Sequence, residues 1–166
     1  MNKLIILSGI PGSGKSYFSK SLKKLKKEHV YIVSSDELRE EITGSPSNLQ
    51  RESLMWKIFY SLAKTFSIDP DGIVVLDATH VTVKLRVERN KRLKKLFNQV
   101  ILVTWKLDKD TIVYQNKHRD YPIPEEALQQ FFEIYEPPGE KDTVFFDKIL
   151  VIDSHDIAPV LEEINN

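Results

Sequence analysis

The chain has 166 residues, 24 Lys plus Arg against 24 Asp plus Glu, and no cysteine. That length suits a single domain, residues 1–166, with a core of its own; the missing thiols exclude disulfides, a disulfide-linked partner, thiolate zinc or iron–sulfur ligation and a cysteine nucleophile. An apolar fraction of 41% and a charged fraction of 29% exclude a disordered chain, and no apolar run is long enough for a bilayer, so no membrane role is expected.

Neutrality hides an asymmetry. Residues 1–119 hold 22 basic and 12 acidic side chains, a balance of +10, and residues 120–166 hold 2 and 12, a balance of −10. An anionic substrate is therefore compatible with a neutral total, because the field at a site follows local charge.

Lys3 and the apolar residues after it begin like a secretory leader, but the run stops at Gly9-Ile10-Pro11-Gly12 with no cleavage site. Residues 3–7 are expected to form a buried strand and the chain to reside in the cytoplasm. Tyr17, Phe18, Ser21, Leu22 and Leu25, spaced by threes and fours, predict a helix. Residues 30–33 predict a second strand, and residues 47–66 a long helix with Leu54, Ile58, Leu62 and Phe66 on its apolar face. A third strand follows at 73–76, then a basic helix capped by Thr82 and ending near Phe97. Strands at 100–105 and 149–152 and helices at 110–118, 124–135 and 157–164 complete the alternation. Continuous apolar strands separated by helices predict an α/β fold, with a central parallel sheet of about five strands flanked by helices.

The most specific motif is Gly9-Ile10-Pro11-Gly12-Ser13-Gly14-Lys15-Ser16, which satisfies G-x-x-x-x-G-K-[ST] at every fixed position, between a strand and a helix. Glycines let such a loop turn successive N–H groups inward, toward phosphate oxygens at a helix N-terminus. Lys15 is expected to reach the β- and γ-phosphates, and the Ser16 hydroxyl to coordinate Mg²⁺. ATP with magnesium is the expected ligand, and the architecture is that of a P-loop NTPase.

Two P-loop classes lack their signatures. A GTPase reads guanine with Asn-Lys-x-Asp, yet Asn90-Lys91-Arg92-Leu93 and Asn116-Lys117-His118-Arg119 both lack the aspartate. A motor-type ATPase ends a strand in Asp-Glu, whereas Val74-Val75-Leu76 runs into Asp77-Ala78. Transfer to a substrate is favoured over hydrolysis. Ser34-Ser35-Asp36-Glu37-Leu38-Arg39 follows strand two, where ligands of doubly wound sheets bind. Asp36 there suits a general base, with Arg39 on the same helix face to hold an anionic substrate. An N-cap at Ser35 or Asp36 with a solvated Arg39 is the competing reading.

The loop, the Ser-Asp-Glu-Leu-Arg segment, Asp77-Ala78-Thr79-His80, and Asn116-Lys117-His118-Arg119 followed by Pro122-Ile123-Pro124 and Tyr135-Glu136-Pro137-Pro138 resemble, in the same order, the kinase domain of phage-type polynucleotide 5′-kinases. The resemblance spans residues 3–138. It implies transfer of the ATP γ-phosphate to a 5′-hydroxyl end of RNA or DNA, and so a nucleic-acid substrate. It makes Asp36 the base and Arg39 a contact to an acceptor phosphate. Asp77 would lie near the metal, through water, or hold the lid arginine. Arg119 would be that lid arginine, in a helical lid over about 108–138, although a basic helix C-terminus also explains it.

The pattern departs at Gln115, where relatives often carry a second lid arginine. Asp69-Pro70-Asp71-Gly72-Ile73 imitates the phosphatase string of some relatives but lacks its threonine and precedes a strand, so it is expected to be a turn.

Residues 84–95 carry seven positive charges and one negative. With Arg86 and Arg89 nearest its start, this helix either lines a path for a phosphate backbone, making Arg86 a substrate contact, or is a solvated face, with Leu85, Leu93 and Leu96 inward. Tyr121 and Tyr135 suit core or lid packing, with stacking on bases as the alternative, and Phe131 and Phe132 are assigned to the core; His29, His80, His118 and His155 lack metal-ligand spacing. A small-molecule kinase with a nucleoside, sugar or antibiotic acceptor is the alternative to the polynucleotide kinase, and an ATP-dependent switch without acceptor is a third.

Overall fold

The computed structural model describes every residue except Lys27. Five strands, β1 (Lys3–Ser8), β2 (Val30–Ser34), β3 (Ile73–Asp77), β4 (Gln99–Trp105) and β5 (Lys148–Ile152), form one parallel sheet in the order β2-β3-β1-β4-β5. Eight α-helices connect them among the described residues: α1 (Lys15–Leu25), α2 (Ser35–Thr43), α3 (Glu52–Phe66), α4 (Val83–Leu93), α5 (Lys109–Lys117), α6 (Glu125–Ile134), α7 (Glu140–Phe145) and α8 (Ala158–Asn165). The α/β architecture expected from the alternation is the one observed. No helix of the described residues is long and apolar enough to cross a membrane.

Each central strand is apolar throughout because both sheet faces are covered. Leu4 and Ile6 of β1, Val74 and Leu76 of β3, and Val100 and Leu102 of β4 face one layer, where Met55, Phe59 and Ala63 of α3 meet them. The intervening Ile5, Leu7, Val75, Ile101 and Val103 face the other layer, against Phe18 and Leu22 of α1 and Leu161 and Ile164 of α8. A third, smaller cluster of Ile10, Val81, Ile112 and Leu128 anchors α5 and α6 beside the carboxyl ends of the strands.

Several faces differ from the expectation. In α3 the core stripe is Met55, Phe59, Tyr60 and Ala63, while Leu54 is exposed and Ile58 and Leu62 are half-buried. Helix α1 buries Phe18, Ser19 and Leu22 and exposes Tyr17 and Leu25. Helix α4 starts at its Thr82 cap, whose hydroxyl accepts from Leu85 N at 3.2 Å, but it turns Arg86, Val87, Arg89, Asn90 and Leu93 inward and leaves Leu96, beyond its end, exposed. The polar inward face carries no apolar period, so periodicity misassigned it. The Asp69–Gly72 string is a turn, closed by Gly72 N–H donating to Asp69 O at 3.1 Å.

Candidate active site

Three neighbouring strands end at one edge of the sheet and carry the candidate residues there. β1 runs into the Gly9–Ser16 loop, β3 ends in Asp77, and β2 ends in Ser34, paired in register with Asp77, so that Asp36 lies two residues beyond. The loop has the dihedral angles its glycines allow: Gly12 and Gly14 sit at φ 90° and 106°, in the left-handed region. Gly12 is also required by close approach, since a Cβ there would lie 2.8 Å from the Ile112 carbonyl oxygen of α5. Helix α5 therefore packs directly on the loop. Among the described residues, the N–H groups of Gly12, Gly14, Lys15 and Ser16 meet no protein acceptor, nor does the buried Ser13 hydroxyl. A row of unpaired donors at a helix N-terminus is an anion cradle, and triphosphate fits it. Gly9 and Pro11 shape the entry to this loop, where Gly9 N–H donates to Thr79 O at 2.9 Å.

Lys15 Nζ donates to Ile10 O at 3.2 Å. Burial pulls its ammonium down to about 8, against the support of the Asp77 carboxylate; Arg119 adds to the lowering, and Asp36 opposes it. Ser16 Oγ donates to Asp77 Oδ2 at 3.2 Å, and burial pushes the Asp77 carboxyl above its ordinary value against the opposing pull of Lys15 and that hydroxyl. Among the described residues no three His, Asp or Glu side chains form a metal cluster. Ser16 and Asp77 alone suit Mg²⁺, which takes few protein ligands and keeps phosphate oxygens and water.

The side of the crevice facing the loop is built by α2. Ser34, not Ser35 or Asp36, is its N-cap: the Ser34 hydroxyl accepts from Glu37 N at 3.3 Å. Asp36 is thus free of capping and 55% exposed, with Arg39 Nη1 at 2.8 Å and Arg119 Nη2 at 3.7 Å. Arg119 follows α5, in a loop tied by reciprocal bonds between the Asn116 amide and the Ile123 backbone at 3.0 and 3.2 Å. Its Nη1 is buried without a partner, as is Gln115 Oε1 one turn earlier on α5. Tyr121 reaches across from the segment between α5 and α6 to donate to Glu40 Oε1 of α2 at 3.3 Å. The charges of Asp77, Arg119 and Asp36 all act on Lys15, that of Asp36 acts also on Asp77, and Arg39 joins them through Asp36.

Arg86 is corrected. It is wholly buried, with Nε and Nη2 on the Asp142 carboxylate at 3.2 and 3.0 Å, Nη1 on Ser8 Oγ at 3.0 Å and His80 O at 3.2 Å, and Nη2 also on Pro137 O at 3.3 Å. A guanidinium so engaged has nothing to offer a substrate; it ties the end of β1 to the segment after α6. Arg89 is likewise interior, donating to Tyr60 OH at 2.7 Å and lying 4.4 Å from the Trp56 ring centre.

His80, set aside in the sequence, braces the same corner. Its Nδ1 donates to Leu7 O at 2.7 Å, its own carbonyl accepts from Ser8 Oγ at 2.7 Å, and it holds φ 41°, a left-handed conformation. Burial, with Arg89 adding, pulls its pKa from 6.5 to about 3. The folded state therefore keeps His80 neutral while the unfolded chain takes up a proton, so its contribution is whole above about pH 6.5 and is lost as pH falls toward 3. Between pH 7 and 5 the loss attributable to His80 is expected to be on the order of 2 kcal/mol. Urea midpoints of the wild type and His80→Asn at both pH values check it: equal acid sensitivity in the two would contradict this account.

Glu52, Glu40 and Asp142 were missed in the sequence, where no local spacing ties them to Arg39, Tyr121 or Arg86, and Tyr121, assigned there to packing, is 59% exposed.

Comparison with known proteins gives this geometry a family. A family model described as an AAA domain matches residues 4–138. An L-seryl-tRNA(Sec) kinase of Methanococcus maripaludis is 27% identical over 173 residues, an alignment covering 98% of this chain and 66% of that protein, just under two thirds of its length. A putative kinase of Chloroflexus aurantiacus superposes with a TM-score of 0.72 at 18% identity, covering 99% of this chain and 94% of the other. A gluconokinase of Sinorhizobium meliloti gives 0.61 at 17%, with coverage of 97% and 88%. The fold is that of P-loop kinases, shared with small-molecule and tRNA kinases and not specific to the phage-type polynucleotide kinases. With the model matched over 135 of 166 residues, the chain belongs to the AAA domain family.

Proposed function

We propose that this protein is an ATP-dependent kinase that moves the γ-phosphate of ATP to a hydroxyl of a small acceptor bound between α2 and the lid. The observation that carries the reading is Asp36: an uncapped carboxylate beyond β2, close enough to Lys15 to perturb it and 3.7 Å from the lid arginine. An in-line transfer needs a base on the acceptor side and cations around the transferring group. Asp36 takes the proton of the attacking hydroxyl. Lys15 and Arg119 neutralise the phosphoryl oxygens, the loop N–H groups orient the triphosphate, and Ser16 with Asp77 holds the Mg²⁺ site. Bound Mg²⁺ supplies further charge neutralisation to the phosphates. The absence of glutamate beside Asp77 favours transfer over hydrolysis, and over a switch without acceptor.

Transfer to a polynucleotide 5′-hydroxyl is the second reading. The +10 balance of residues 1–119 favours it, as does the tRNA-linked acceptor in the name of the Methanococcus relative. Against it stand the interior Arg86 and Arg89 and the acidic wall of α2, where Asp36, Glu37, Glu40 and Glu41 surround one Arg39.

The test is transfer of label from γ-labelled ATP with Mg²⁺ to sugars, nucleosides, amino alcohols and matched 5′-hydroxyl RNA and DNA. Asp36→Asn is expected to abolish transfer, by at least about 10²-fold, with ATP binding intact. Undiminished transfer by that variant would remove Asp36 as the base, and label on 5′-hydroxyl strands alone would promote the second reading.

A further inference from the structure

Arg39 was expected to meet an anionic acceptor, yet three of its five N–H donors are taken by carboxylates. Its Nε and Nη2 grip both oxygens of Glu52, at the start of α3, at 2.6 and 3.1 Å, and Nη1 is on Asp36 Oδ1 at 2.8 Å. The first pair occupies the side-on fork of the guanidinium, an edge that could otherwise grip a phosphate through two parallel bonds, and Asp36 competes for Nη1. The Arg39 side chain is 14% exposed and that of Glu52 29%, so pulling Arg39 away would strand a half-buried carboxylate.

The charge count points the same way. Asp36, Arg39 and Glu52 sum to −1. Arg119 offsets this at 3.7 Å, but its unpartnered Nη1 makes it the group a triphosphate would draw off. Glu40, holding Tyr121 of the lid, adds a further negative charge on the same helix.

Resting on the kinase reading above, we infer that Glu52 is a specificity-determining residue: by occupying Arg39 it makes the acceptor subsite one for a neutral or amine-bearing alcohol and excludes phosphorylated acceptors. Arg39, so held, serves to fix the Asp36 carboxylate and not to bind substrate.

The experiment compares kcat/KM of the wild type and Glu52→Gln for glycerol, serinol, glycerol 3-phosphate and a 5′-hydroxyl oligonucleotide. The wild type is expected to favour serinol and glycerol over the two phosphate-bearing probes. Glu52→Gln should shift the ratio of phosphorylated to amine-bearing acceptor by about tenfold or more toward the former, as removal of one nearby charge would. A wild-type salt series checks the idea without a variant: added salt should raise the relative rate of the phosphorylated probes by screening repulsion. A wild type that prefers glycerol 3-phosphate or the oligonucleotide, or a ratio unmoved in Glu52→Gln, overturns the inference while leaving the kinase standing. No transfer to any probe with ATP still bound overturns the kinase reading, and the inference falls with it.

Discussion

Replacing Arg86 by Met is expected to cost about 3–5 kcal/mol of stability, because it leaves the Asp142 carboxylate buried without its countercharge. Both side chains are wholly buried, and once the guanidinium is gone the remaining partner of Asp142 is the Gly139 N–H, at 3.0 Å. For a domain of this size the melting temperature should fall by roughly 10–15 °C. A solvated basic helix would predict a change within about 0.5 kcal/mol. The double variant Arg86→Met/Asp142→Leu separates pair from charge: removing both partners should recover most of the loss, since well-packed apolar residues often replace a buried pair at little cost. Urea unfolding of the two variants measures this, and a double variant no better than Arg86→Met would assign the cost to the lost bonds to Ser8, His80 and Pro137.

That network also marks where the sequence stops being informative. The conformation of the Gly9–Ser16 loop was legible because its pattern is local: glycines with φ near 100°, a lysine and a serine must follow one another along a single turn. The five strands were legible because a sheet covered on both faces writes itself as uninterrupted apolar runs, as in Leu4-Ile5-Ile6-Leu7. The face of α4 was not. Arg86 reads as surface charge until Asp142, 56 residues later, is known to lie against it. The same holds for Arg39, whose partner Glu52 is 13 residues away on the next helix. Asp36 occupied an intermediate position: its place after β2 was legible, but whether it capped α2 was decided by the Ser34 hydroxyl. Short motifs and apolar periods record local constraint, whereas ion pairs between elements depend on how those elements pack.

Arg119→Ala is expected to slow phosphoryl transfer by about 10³-fold or more, the range for an arginine that neutralises charge on the transferring group. The residue stands between Lys15 of the glycine-rich loop and Asp36 of α2. Its charge helps lower the Lys15 pKa, its Nη2 lies 3.7 Å from Asp36, and its Nη1 is buried with no protein acceptor. A buried, unpaired donor on a cation is costly, and it is tolerated where a ligand completes it. A plain helix-terminal cation predicts something different: its removal would alter stability by less than about 1 kcal/mol and leave transfer nearly unchanged. Single-turnover transfer from labelled ATP, paired with a urea midpoint, distinguishes the two. Arg119→Lys should restore charge without the planar fork and recover only part of the rate. Full activity in Arg119→Ala would return this arginine to the helix end, and would leave Lys15 and bound Mg²⁺ as the cations that carry the developing charge.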